Sequence, residues 1–250
     1  FIKENNICDF IHKPQPSAIF RTYPKESNAF RWGTFQLDIA IDFEEMLAKV
    51  NSSQRRSVRK AIKDGVIITK TDDYKKVYDL CNKTLSRQSI PLLIDKNEFI
   101  NQYKNLHPNS MIMFEATYEN KLEGALVIFF DNENAFAEYA GSVSKPKSGC
   151  LKLLHLHAMQ YLAQNHNIKK FDFVGAIPDI KEGCKEAGIQ KFKKEFGATI
   201  KEGYQFTTII SPFKYYLFNL CLKTNFYLKG IKYMDPVERN KNLSESQLKI

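Results

Sequence analysis

The sequence predicts a mixed α/β (α+β) fold, with a central sheet flanked by helices. Three observations carry that expectation. Residues 111–118, 122–130 and 135–141 are β-rich runs parted only by the polar turns Glu119-Asn120-Lys121 and Asp131-Asn132-Glu133-Asn134, the pattern of an antiparallel meander. Residues 149–165 then follow a helical period, with Leu151, Leu154, Ala158, Tyr161 and Leu162 on one side. Beyond them an apolar run at 171–174, closed by Gly175, is followed by a loop carrying Pro178 and Gly183, a helix over 185–196 stopped by Gly197, and β-rich residues 198–210. A strand, a loop opening into a helix and a return strand can bring backbone amides and a helix N-terminus beside a substrate.

Taken in order, residues 17–21 and 35–41 read as strands, and 23–33, with Pro24, Ser27, Asn28 and Gly33, as the loop between them, Trp32 in or beside it. Residues 43–50 read as a short helix. A second helix starts after the cap candidates Asn51, Ser52 and Ser53 and ends near Gly65, with Val58, Ala61 and Ile62 for its buried side. From there residues 66–69 make a strand, 74–88 a helix with Val77, Leu80, Cys81 and Leu85 inward, and 97–106 another helix. Residues 212–233 form an aromatic-rich helix, and the polar stretch from Asp235 onward reads as loose.

The 250 residues are 43% hydrophobic and 26% charged, enough apolar material for one large domain or two small ones. No run of about 18 apolar residues exists, so no transmembrane helix is expected; 215–228 is broken by Asn219, Lys223 and Asn225. No signal peptide is visible, and a start at Phe1 instead of Met implies a preceding piece. Cys8, Cys81, Cys150, Cys184 and Cys221 form no CxxC pair, which argues against zinc or a disulfide framework and for a reducing cytoplasm. His155 and His157 point to different sides of their helix and read as structural. The formal charge of +9 suits a phosphate-rich partner: RNA, a nucleotide or an anionic lipid.

Two helices carry candidate chemistry. In 185–196, Ile189, Phe192 and Phe196 cluster at 100° per residue and define the buried face. Lys193 lies about 70° from the centre of that face, whereas Lys191 and Lys194 lie about 130° and 170° away. Lys193 is therefore the lysine expected to line a pocket wall; the alternative is ordinary core at Phe192 and a snorkelling rim residue at Lys193. In the helix after Asn51, Arg55, Arg56, Arg59, Lys60 and Lys63 crowd together, with Arg55/Arg59 and Arg56/Lys60 stacked at i,i+4. Placing like charges together suggests an anionic partner; a solvated basic face is the competing reading.

The order from Gly65 to Ile210 is similar to the acyltransferase fold of the GNAT superfamily. The chain more specifically resembles the FemABX family of peptidoglycan aminoacyltransferases, which carry two such domains in tandem. The resemblance rests on RRSVRKAIKDGV at 55–66, NKTLSRQ at 82–88, and FDFVG at 171–175 followed by GIQKFKKEFGA at 188–198. It implies a partial N-terminal GNAT-like subdomain over 1–64, a GNAT-like acyltransferase domain over 65–210, and a C-terminal helix and tail over 211–250. It implies transfer of an aminoacyl group from aminoacyl-tRNA to an amine of a nucleotide- or lipid-linked muropeptide, in the cytoplasm, with the inner membrane face and its anionic surface as a place of contact. Phe192 and Lys193 match the family's Phe-Lys pair, whose lysine faces the reacting acyl group. Arg87 resembles the arginine that contacts the acceptor, and Tyr139 an aromatic lining its channel. Asp172 is a candidate for orienting a substrate amine, or a structural strand-end residue. Residues 1–64 are too short for a whole first domain, and no long heptad arm is present.

Amide formation from an activated ester needs no covalent nucleophile, since the amine attacks directly; positioning and oxyanion stabilisation remain. Lys193 is assigned the latter, and no Ser/His/Asp arrangement suggests an acyl-enzyme. No cofactor is expected, with aminoacyl-tRNA as co-substrate and acyl-CoA as the alternative donor, for an N-acyltransferase acting on a sugar or polysaccharide precursor. Against CoA, the segment Ser144 to Cys150 holds one glycine where a pyrophosphate loop would have several, though Lys145 and Lys147 could meet phosphate. A third reading is a non-catalytic module that binds RNA or an anionic surface through the basic helix.

Overall fold

The computed structural model describes residue 2 and residues 4–12, 19–87, 95–178, 180–181, 183–228, 230, 233 and 235–246. Its strands form one eight-stranded sheet of mixed direction, ordered β1-β8-β2-β7-β6-β5-β4-β3. The chain clusters into two compact units drawn from non-consecutive stretches: Phe1–Thr34, Gly175–Gln190 and Ile200–Ile250, and separately Phe35–Val174 with Lys191–Thr199.

The larger unit holds the meander. β4 (Met111–Tyr118), β5 (Lys121–Phe130) and β6 (Asn134–Ser142) pair antiparallel, and β3 (Ile67–Lys70) adds to the β4 edge. Met111 to Phe114 and Ala125 to Ile128 are buried without alternation because helices cover both sheet faces. Met111, Met113, Ala125 and Val127 pack with Val77, Tyr78, Leu80 and Phe99 from α3 (Tyr74–Arg87) and α4 (Lys96–Leu106). On the other face Phe114 meets Tyr161 of α5 (Cys150–His166), with rings 5.4 Å apart. α5 is the crossover to β7 (Lys170–Asp172), which runs parallel to β6 and antiparallel to the end of β2 (Asn28–Asp38). α1 (Phe43–Lys49) and α2 (Ser52–Lys63) connect β2 to β3, and Asn51 caps α2 through Ser53 N–H, as expected. Val58 and Ala61 of α2 are buried, but Ile62 is exposed, contrary to expectation; two small inward residues suffice for the close approach to α5.

The smaller unit holds β1 (Phe10–His12), paired antiparallel with β8 (Thr199–Ile209), and the first half of β2. Two expectations fail here. Residues 28–33, read as loop from their Asn and Gly, belong to β2, and Trp32 is buried with Phe30, Ile177 and Val237. The buried aromatic pair outweighs local turn propensity. The stretch after Asp235, read as loose, forms α8 (Pro236–Ser246): Asp235 Oδ1 caps it by accepting from Val237 N and Glu238 N at 2.9 Å each, while Val237 anchors it in that cluster. Of the expected strand at 17–21, residues 17 and 18 lie outside the described residues, and Phe20 forms an isolated bridge to Tyr204. The aromatic-rich helix is α7 (Pro212–Leu228). Among the described residues no helix is long and apolar enough to cross a membrane.

Candidate active site

Lys193 lies on α6 (Lys185–Lys194), half-buried between the exposed Lys191 and Lys194, and its Nζ donates to the carbonyl of Val174. The face expected to bury it is partly different. Phe192 and Phe196 turn into α5, where they pack on His155, but Ile189 is 41% exposed and Gln190 takes the inward position. Gln190 does so because its amide spans the backbone of Ile177, accepting from the N–H at 2.5 Å and donating to the C=O at 3.2 Å.

Val174 is the strained point. The strand expected over 171–174 stops at Asp172, and Val174 adopts φ +46°, a left-handed conformation that a β-branched residue avoids, costing about 1–3 kcal/mol. Two side chains hold it there. Asp172 Oδ1 accepts from Val174 N at 2.7 Å, and Lys193 binds its carbonyl. Asp172 is 2% exposed, and its Oδ2 accepts from Gln36 Nε2 at 2.8 Å. A buried carboxylate, a half-buried lysine and a strained peptide thus converge where β7 ends.

The neighbouring strand contributes a fourth group. β6 and β7 run side by side only through Phe136↔Asp172, then part. Val127 pairs with Tyr139 and Ile128 with Ala137, so Glu138 between them is the extra residue of a β-bulge. Burial pushes its carboxyl above the usual range, and the charge of Asp172 adds to the rise. Burial also pushes the Lys193 amine down, to about 8, with Asp172 pulling it partly back. A splayed pair of parallel strands bearing two carboxylates and a lowered lysine can hold an amine, accept its proton and steady a developing oxyanion. Sequence reasoning misses Glu138. Its one signal is a charge inside the small apolar run 135–141, and the bulge that carries it has no local signature.

The other candidates divide. Phe192 packs against α5, its ring beneath Lys152 Nζ at 4.3 Å, and Lys152 pairs with Glu195 at 2.9 Å. His155, pushed to about 4 by burial, donates its Nδ1–H to the Leu151 carbonyl at 2.7 Å and is a core residue. Tyr139 directs its hydroxyl to Gln102 Oε1 at 3.5 Å and its ring edge to Phe99 and Phe129; burial raises its phenol strongly. Arg87 at the end of α3 binds Thr84 Oγ1 at 3.2 Å and the Ser142 carbonyl, fixing that helix end to the end of β6. The four basic candidates stay on α2: Arg59 pairs with Glu44 at 3.0 Å, Arg55 reaches the Ala48 carbonyl at 3.4 Å, and Arg56 and Lys60 are exposed.

At the α5 N-terminus, where a pyrophosphate would be expected, the backbone of α2 lies close against Gly149. Gly149 has φ +80°, and a Cβ there would lie 2.1 Å from the Ser57 carbonyl oxygen of α2. Lys147 is held by Asp64 at 2.9 Å and lies over the Tyr118 ring at 4.2 Å. Among the described residues no His, Cys, Asp and Glu group is arranged to hold a metal ion.

A sequence profile of the FemAB family matches residues 95–223, which include Glu138, Asp172 and Lys193. Aminoacyltransferase FemA of Staphylococcus aureus is 27% identical over 170 residues, 65% of this chain. The chain spans 36% of that relative's length. Among solved structures, FemX superposes with a TM-score of 0.65 at 17% identity, covering 86% of this chain and 70% of FemX. The C-terminal domain of a putative lysylphosphatidylglycerol synthetase from Agrobacterium fabrum gives 0.52 at 13% identity, over 73% of this chain and 62% of that domain. The mixed α/β architecture, one sheet flanked by helices, is shared with FemX.

Proposed function

This chain belongs to the FemAB family, and from that premise we propose that it is an N-acyltransferase, moving an aminoacyl group from aminoacyl-tRNA to an amine of a muropeptide precursor in the cytoplasm. The observation that carries the reading is the convergence of Lys193, Asp172 and Glu138 at the splay of β6 and β7. Asp172 orients the peptide at Val174 and keeps Lys193 charged. Lys193 steadies the oxyanion that forms when the amine attacks the ester carbonyl. Glu138, with its raised carboxyl, takes the proton the amine nitrogen must lose. The ester C–O bond then breaks, the donor's oxygen leaves as the alcohol by taking that proton from Glu138, and no acyl-enzyme is needed.

A charged tRNA is favoured over acyl-CoA because residues 144–150 hold one glycine where a pyrophosphate loop would have several, and that glycine, Gly149, is packed against the Ser57 backbone. The exposed cations of α2 supply a surface for an RNA or nucleotide phosphate. The deciding experiment offers the purified protein charged tRNA or acyl-CoA together with a muropeptide amine and follows donor consumption. Consumption of the charged tRNA alone is expected. Turnover with acyl-CoA would support the CoA-dependent alternative on a sugar or polysaccharide precursor. Salt-sensitive RNA binding without consumption of either donor would support a non-catalytic module.

A further inference from the structure

Helix α7 is apolar on the side that faces water. Its 17 residues include no Asp or Glu, and none of them is fully buried. Tyr215, Asn219, Leu222 and Phe226, spaced by four, three and four, are half-buried and form one narrow seam; the remaining residues are exposed. Along that seam Tyr215 rests on the ring of Phe10 at 5.1 Å and Phe226 on Tyr233 at 5.1 Å. At 100° per residue, Phe213, Leu217, Leu220, Cys221, Thr224 and Leu228 fall within about 50° of the opposite pole. Phe213 is 75% exposed and Leu228 79%. Neither lysine of the helix lies on this pole. Lys214 is about 70° from it and pairs with Asp9 at 2.9 Å; Lys223 is about 110° from it and lines a groove with Asp235, Glu238 and Glu245. The pole is an uncharged stripe about 23 Å long.

We infer that α7 is a homodimer contact, the helix packing antiparallel against α7 of a second copy across a two-fold axis. The stripe carries its own complement. Its six residues are placed symmetrically about the midpoint between Leu220 and Cys221. A two-fold axis there brings Phe213 onto the partner's Leu228 and Leu217 onto the partner's Thr224, while Leu220 and Cys221 each meet their own counterpart. Thr224 and Cys221 are small, which lets the two helices approach to the usual interaxial distance of about 8–10 Å. No like charges are brought together: the two Lys214 residues lie about 20 Å apart along the helix axes, and each Lys223 faces its own groove. An acidic peptide or a nucleic acid would find no cation on the stripe to pair with, and a self-complementary apolar surface is what an isologous contact requires. The inference stands on α7 alone and does not depend on acyl transfer.

The test is sedimentation velocity of the chain from about 1 to 200 μM, since one helix pair is at the small end of specific interfaces and should associate in the micromolar range. Monomer should give way to dimer as concentration rises, and high salt should leave the dimer intact, because apolar burial and not ion pairing holds it. Leu217→Glu with Leu220→Glu puts carboxylates from both copies into the contact and should weaken dimerisation at least about a hundredfold, with an unchanged circular dichroism spectrum. If the glutamates prevent folding, Leu217→Ser with Leu220→Ser removes the apolar contact without added charge. A short bismaleimide should cross-link the dimer through the exposed Cys221, and Cys221→Ser should lose that cross-link while still sedimenting as a dimer. A double variant that dimerises like the parent, or a dimer that does not cross-link through Cys221, overturns the inference. So does a parent that is monomeric throughout; if it then sediments with phosphatidylglycerol vesicles and the double variant does not, a lipid surface covers the stripe instead.

Discussion

Replacing Lys193 by Met separates catalysis from folding, and the structure sets the size of both effects. A fall of the amine from 10.5 to about 8 means the folded protein disfavours the ammonium by roughly 3 kcal/mol relative to water. Methionine removes that penalty but leaves the Val174 carbonyl without its donor and Asp172 without its cation, which costs about 1–3 kcal/mol. The two nearly cancel, so the variant should melt within a few degrees of the parent at neutral pH. The pH dependence of stability follows from the lowered value. Between about pH 8 and 10.5 the unfolded chain holds a proton that the folded one has released, so the parent gains stability as pH rises through that window. Lys193→Met lacks this gain, and its advantage in melting temperature should be greatest below pH 8. Activity should move the other way. An oxyanion is steadied only by the charged amine, so turnover of the parent should fall as pH rises through about 8, and Lys193→Met should lose about 10² to 10³-fold. Lys194→Met, at an exposed position, should change neither. The assay is amide formation with charged tRNA across pH, alongside thermal unfolding. Full turnover in Lys193→Met, or a parent profile flat through pH 8, would refute the assignment.

Glu138→Gln keeps shape and removes the proton acceptor. Turnover should drop about 10² to 10⁴-fold and become independent of a carboxyl at the acid end of the pH profile, while donor binding persists; an unchanged acid limb would show that another group takes the proton. Gly149→Ala puts a Cβ against the Ser57 carbonyl at a positive φ, and should destabilise the fold by at least about 2 kcal/mol in urea unfolding. A shift within error would mean that α2 yields at Ser57. Arg55→Ala with Arg59→Ala should weaken RNA binding and lower its salt slope by about one for each phosphate no longer neutralised. Arg59 gives up only an exposed pair with Glu44, so stability should hold; an unaltered slope would return α2 to a solvated face.

What the sequence determined by itself was the succession of elements from β3 to β8 and the inward side of Lys193 on α6. Both are written in short-range periodicity: two-residue alternation and 3.6-residue stripes depend on neighbours a few positions away. Local reading failed where distant residues outvoted propensity. Asn28 to Gly33 look like a turn, yet join β2 because Trp32 and Phe30 find Ile177 and Val237. Ile189 looks buried, yet yields to Gln190, whose amide satisfies Ile177. Only the tertiary structure decided the chemistry of the site. Asp172 and Lys193 are ordinary residues until Val174 turns to a positive φ between them, and Glu138 is an ordinary strand residue until it becomes the extra residue of a bulge, near enough to Asp172 to feel its charge. Burial then shifts the lysine down and the carboxyl up, and burial is a property of the packed chain that no stretch of sequence contains on its own.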